Sequence, residues 1–240
     1  MHGVKVGFFA YIEQADRESL AGACVVVIDV LRASSTIVAA LESGAERIIP
    51  IADVATACRL ARPGERVAKI LAGERKGVAV DGFALGNSPL EFTPASVGGK
   101  TIVLTTTNGT RAIAAAAKAE RVVVCALTNV DAVAEAIRGA ESIVVLCCGT
   151  EGSVASEDLL CGGLLLDLLG GDVDRGSLND AARISLLLAR RFGGEVEAFL
   201  RDSDHGRTLA SLGFGDDIAA CALVGTSRLV PTLREGAITR

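Results

Sequence analysis

Residues 24–41 read Cys24-Val25-Val26-Val27-Ile28-Asp29-Val30-Leu31-Arg32-Ala33-Ser34-Ser35-Thr36-Ile37-Val38-Ala39-Ala40-Leu41. Five apolar residues stop at a carboxylate, three hydroxyls follow, and apolar residues at 37, 38, 40 and 41 then recur at helical spacing. The stretch is a strand, a polar turn and a helix. Neither face of the strand carries a polar side chain, so both must be covered, as in a parallel sheet flanked by crossover helices. Further short β-rich runs near 4–9, 47–51, 66–70, 101–105, 121–126 and 142–147 alternate with Ala/Leu-rich segments. The expected fold is α/β, a three-layer α/β/α arrangement with a largely parallel or mixed sheet. Beyond residue 155 strands are expected to stop, leaving a helix-rich C-terminal part at about 156–169, 177–191, 195–201 and 216–223. Residues 1–240 are read as one domain, and any division into two lobes falls near 89–100.

The chain is half apolar but only 3% aromatic, so its core rests on Ala, Val, Leu and Ile. Twenty-four Lys and Arg face 29 Asp and Glu, a net charge of −5, which lacks the basic footprint that a polyphosphate backbone demands. Nucleic acid and anionic membrane are therefore not the expected partners. Mean hydropathy is high at +0.44, yet apolar stretches such as Leu159 to Leu166 are far shorter than the roughly 20 residues of a membrane span. The short run Val6 to Ile12 meets Glu13 without a cleavage pattern and reads as a first strand rather than a leader, so the expected location is cytoplasmic. High apolar content without a span leaves room for a homodimer. Seven cysteines, odd in number and without a C-x-x-C pair, read as reduced core thiols.

Chemistry concentrates where strands end. Asp29, Arg32, Ser34 and Ser35 stand at the junction of a strand and a helix N-terminus, where α/β sheets bind ligands and free amides favour anions. The two serines also suit helix capping. A buried-strand carboxylate such as Asp29 needs a partner or a metal. A second strand ends in Thr105-Thr106-Thr107-Asn108-Gly109-Thr110-Arg111, again hydroxyls, a turn, a helix start and one Arg. Thr107, Asn108, Gly109 and Thr110 could hold phosphate oxygens, although Asn-Gly is also an ordinary turn. A third strand leads to Ser156-Glu157-Asp158, whose acids suit either a magnesium shell of carboxylates and water or simply a helix N-terminus.

The stretch Gly73 to Lys100 holds six of 27 glycines and two of five prolines, an irregular region of the kind that carries binding loops. It contains Arg75, with its planar anion-binding fork, and Asn87; Ser88, Pro89 and Glu91 form the signature of a capped helix start near 89–92. His205 and Arg207 lie in Ser203-Asp204-His205-Gly206-Arg207, the former the sole interior histidine. No G-x-x-x-x-G-K-[ST], no G-x-G-x-x-G after a strand, no Cys with Arg six residues on and no Asp-x-Asp after a strand is present. Two histidines exclude His-rich dinuclear sites. Oxygen-ligand metal chemistry on an anionic substrate survives these exclusions.

Five segments, Asp29 to Thr36, Gly73-Glu74-Arg75, Gly86-Asn87-Ser88-Pro89, Thr106 to Thr110 and Glu157 to Gly163, together resemble the 2-phosphosulfolactate phosphatase family of coenzyme M biosynthesis. The resemblance runs in order from about residue 4 to 225. It implies a Mg²⁺-dependent phosphatase that converts (2R)-phospho-3-sulfolactate into 3-sulfolactate and phosphate on an unusual α/β fold. Asp29 and Arg32 are then the candidate catalytic residues, and Asp29, Glu157 and Asp158 the candidate metal ligands. Ser34, Ser35, Arg75, Asn87, Thr107, Asn108, Gly109, Thr110, Arg111, His205 and Arg207 are the candidate substrate-binding groups. The attacking group, water or Asp29 itself, stays open. So do two rival readings: a phosphatase of another small phosphorylated hydroxy acid, and a non-catalytic module that binds a phosphorylated metabolite.

Overall fold

The computed structural model describes residues 3–61 and 69–240. Among the described residues ten strands form one sheet in the order β1-β8-β2-β7-β9-β10-β3-β6-β4-β5. They are β1 Lys5–Phe9, β2 Cys24–Ile28, β3 Arg47–Pro50, β4 Lys69–Arg75, β5 Val78–Ala79, β6 Thr101–Thr105, β7 Arg121–Cys125, β8 Ser142–Cys147, β9 Thr232–Arg234 and β10 Ala237–Thr239. The helices are α1 Arg17–Leu20, α2 Ala33–Glu42, α3 Val54–Leu60, α4 Pro94–Val97, α5 Gly109–Ala116, α6 Val130–Ile137, α7 Ser156–Leu169, α8 Asp180–Phe192, α9 Val196–Asp202, α10 Asp204–Ser211 and α11 Gly215–Cys221.

The sheet has two parallel groups, β1-β8-β2-β7 and β3-β6-β4, bridged by the antiparallel hairpin β9-β10. Side chains alternate across the central strands. Val26, Ile28, Val123, Cys125, Val145 and Cys147 join one apolar cluster with α6, α7 and α8, while Val25, Val27, Val122, Val124, Val144 and Leu146 join another with α2 and α5. This is the two-faced burial that the polar-free strands require. The pairings β7-β9, β9-β10 and β10-β3 are each antiparallel, so the two groups run in opposite senses. A flat sheet would place their carboxyl ends on opposite edges. Yet the turn after β6 packs onto the turn after β2, for a Cβ at Gly109 would meet Ala33 Cβ at 2.6 Å and Asp29 Oδ2 at 2.8 Å. The sheet therefore departs from flat, bending so that carboxyl ends from both groups converge.

Several local expectations change. The C-terminal part is not strand-free, because residues 232–239 form the hairpin whose tip, Glu235-Gly236, lacks the Asn-Gly signal of a tight turn. The strand expected at 66–70 begins, among described residues, at Lys69 and continues to Arg75, into the stretch read as irregular; its earlier part lies outside the described residues. Pro89–Glu91 is a 3-10 turn rather than a capped helix: Ser88 Oγ donates to Asp217 at 2.6 Å, and Glu91 accepts from the Gly86 amide at 2.5 Å. Ser34 and Ser35 cap no helix, since α2 begins at Ala33. A further helix, α10, fills the gap expected between 201 and 216. All seven cysteines are free thiols; six are buried and Cys58 is exposed. No helix of the described residues is long and apolar enough to cross a membrane.

Candidate active site

A cleft of about 640 Å³ opens where these carboxyl ends meet, with Asp29, Arg32, Glu74, Glu157 and His205 in its wall. Asp29 follows β2 directly. Its Oδ1 accepts the Ala33 amide at 3.2 Å, and its backbone is tied to Ser34 by two bonds, N–H to Oγ at 2.9 Å and C=O from the Ser34 amide at 2.8 Å. Ser35 Oγ donates to the Val30 carbonyl at 2.8 Å. Both serines thus stitch the turn that presents Asp29 instead of lining the cleft. Burial, reinforced by the Glu74 and Glu157 charges, pushes the Asp29 carboxyl up to about 7 even though the Ala33 and Gly109 amides pull it down.

Glu157, in the first turn of α7, also lines the cleft, and burial raises its carboxyl above the ordinary range while the Ser203 and Ser156 hydroxyls oppose the shift. Its neighbour Asp158 does a different job. Asp158 Oδ1 accepts the Val30 amide at 2.8 Å and Oδ2 the Gly149 amide at 3.1 Å, so this buried carboxyl pins the turns after β2 and β8 together and stays out of the cleft wall.

Glu74, rather than its neighbour Arg75, faces the cleft. Its carboxylate accepts the Thr107 amide at 2.7 Å, the Thr107 hydroxyl at 3.2 Å and the Gly77 amide at 2.9 Å. Gly73 makes this reach feasible, because a Cβ there would lie 2.0 Å from the Thr105 carbonyl oxygen. That glycine was the available signal. Arg75 points elsewhere, donating to the carbonyls of Glu74 and Ala52 and to Thr105 Oγ1.

Arg32 is buried and held from three sides. It pairs with Asp217 at 2.6 Å, donates to the Gly77 carbonyl at 2.7 Å, and stacks over Phe214 with its guanidinium carbon 4.2 Å from the ring centroid. Asp217 and Phe214 come from the α11 region, 185 residues from Arg32 in the first case, so no local pattern announces them. Asn87 lines the cleft with its side-chain oxygen buried and without a hydrogen-bond partner. Thr107 and Asn108 line it too, whereas Thr110 bonds back to Thr106 and Gly109 packs on Asp29. His205 lines it from α10, and burial together with the Arg32 charge lowers its pKa. Arg111 and Arg207 lie on the surface, paired with Glu13 and with Asp202 and Asp204.

The sequence model of a family described as 2-phosphosulpholactate phosphatase matches residues 10–236. The chain belongs to the 2-phosphosulfolactate phosphatase family. A relative from Symbiobacterium thermophilum, named "Probable 2-phosphosulfolactate phosphatase", is 42% identical over 222 residues, covering 92% of this chain and 95% of the relative. One of the same name from Deinococcus radiodurans is 43% identical over 218 residues, 88% of each chain, and one from Caldanaerobacter subterraneus subsp. tengcongensis is 40% identical over 215 residues, 89% of each. Within this phosphatase family, named for phosphoric monoester hydrolysis, the match spans the ends of β2, β4, β6 and β8 that build the cleft, and it reaches β9 but stops before β10.

Proposed function

We propose that the protein is a Mg²⁺-dependent phosphatase that hydrolyses 2-phosphosulfolactate to 3-sulfolactate and phosphate. One observation carries this reading beyond family membership. The cleft wall bears five acidic side chains, those of Asp29, Glu74, Glu151, Glu157 and Asp204, the last paired with Arg207, against Arg32 and Lys76. Arg32 is moreover paired with Asp217. A substrate with phosphate, sulfonate and carboxylate would be repelled by such a wall unless a cation intervened.

The donor set suits magnesium, which favours oxygen, needs only one or two carboxylates and keeps water in its shell. Among the described residues no three His, Cys, Asp or Glu side chains form a ready-made cage, so an ion there would take the rest of its shell from water and substrate. Asp29 and Glu157 would hold the ion, with Glu74 beside them. When bound, it would neutralise charge on the phosphoryl oxygens and polarise them.

The chain's own groups supply the rest. Arg32, fixed by Asp217, Gly77 and Phe214, offers its guanidinium edge to the phosphoryl group without having to reorganise. Thr107 and Asn108, ahead of α5, offer polar groups to the same oxygens. His205, largely neutral at pH 7, can donate or accept a hydrogen bond without adding charge.

Phosphate release from 2-phosphosulfolactate and a panel of other phosphorylated hydroxy acids, with and without Mg²⁺, tests the reading. Turnover of 2-phosphosulfolactate that stops in EDTA and returns with Mg²⁺ is expected. Binding without turnover, or full activity in EDTA, would overturn it.

A further inference from the structure

Lys76 lines the cleft and, unlike Arg32, has no ion-pair partner among the described residues. It stands at the tip of the β4-β5 hairpin, where Arg75 pairs with Val78 and the two loop residues, Lys76 and Gly77, have φ of 52° and 80°. Positive φ at both positions is the mark of a type I′ turn, which Asn-Gly suits best. The conformation alone says nothing about ligands, since Glu235-Gly236 adopts it at the β9-β10 tip, outside the cleft wall. What distinguishes the Lys76 tip is how it is held. Glu74 accepts the Gly77 amide at 2.9 Å and Arg32 donates to the Gly77 carbonyl at 2.7 Å, so two cleft residues clamp the turn that presents the lysine.

We propose that Lys76 sets substrate specificity by binding the sulfonate, the anionic group one bond farther from the phosphate ester than the carboxylate. A compact ammonium with three donors matches the three oxygens of a tetrahedral sulfonate. A planar carboxylate suits a guanidinium fork or a metal ion better. This inference rests on the substrate proposed above, and it makes Lys76 the group that separates 2-phosphosulfolactate from 2-phospholactate, which lacks only the sulfonate.

Lys76→Asn tests it, because asparagine is favoured at this turn position and the variant should melt no lower than wild type. The ratio of kcat/KM on 2-phosphosulfolactate to that on 2-phospholactate should fall at least tenfold, mainly through KM, with partial recovery in Lys76→Arg. Calorimetric binding of 3-sulfolactate, which needs no turnover, should weaken about tenfold in Lys76→Asn. An unchanged ratio, including equal losses on both esters, would overturn the assignment while leaving the phosphatase reading intact. Should wild type hydrolyse neither ester, the phosphatase reading falls and the calorimetry decides: weaker 3-sulfolactate binding in the variant supports the Lys76 site, and equal or absent binding removes it.

Discussion

Burial and the charges of Glu74 and Glu157 hold the Asp29 carboxyl at about 7 against its ordinary 3.8. Between those values the folded protein keeps a proton that the unfolded chain has released, so this residue's contribution to stability declines as pH rises through that window. Asp29→Asn removes the charge and keeps an oxygen for the Ala33 amide, but turns an NH2 group toward the Gly109 amide that the carboxylate also serves. In EDTA the melting temperature of the variant relative to wild type should therefore rise between pH 4 and pH 8, which thermal unfolding followed by circular dichroism will show. Its phosphatase activity should drop by more than about a hundredfold, the scale of a single electrostatic group in an active site. A difference that stays constant from pH 4 to pH 8 would mean that the carboxylate is not strained by its neighbours.

Adjacent positions in the first turn of α7 have separate tasks. Glu157 faces the cleft, while Asp158 accepts amides from the turns after β2 and β8. Asp158→Ala would orphan the Val30 and Gly149 amides, each worth roughly 1–3 kcal/mol when buried without a partner. Denaturant unfolding should register that loss. Glu157→Gln should unfold near the wild-type midpoint or above it, because burial disfavours its charge, while raising the Mg²⁺ concentration needed for half-maximal activity. If the two variants exchanged these phenotypes, the division of labour along the helix would be wrong.

Across the whole molecule the C-terminal hairpin decides how the halves meet. β9 pairs with β7 and β10 with β3, and Arg240 donates to the Leu41 carbonyl at 2.7 Å, so residues 232–240 join the two parallel groups. Removing them leaves β7 and β3 with open edges and takes the fully buried Ile238 out of the apolar cluster it fills. A chain ending at Pro231 should lose its single cooperative thermal transition and, with the strand ends no longer convergent, its phosphatase activity. A sharp transition and normal turnover in the truncated chain would show that the halves dock without the hairpin.

The alternation of polar-free strands and amphipathic helices, and the positions of Asp29, Thr107, Asn108 and Glu157 at strand ends and helix starts, were legible in the sequence because each depends on neighbours a few residues away. Periodicity and turn chemistry are local. The tertiary structure alone decided the opposed senses of the two strand groups, the bend that brings their carboxyl ends together, and the placing of Glu74, Lys76 and Asp217 around Asp29 and Arg32. It also sorted the arginines. Arg32, Arg75, Arg111 and Arg207 each stand near a candidate strand end or loop in the sequence, yet only Arg32 lines the cleft. A guanidinium on a long side chain binds whichever carboxylate or carbonyl the folded chain brings within reach, and that partner can lie 185 residues away, as Asp217 does from Arg32.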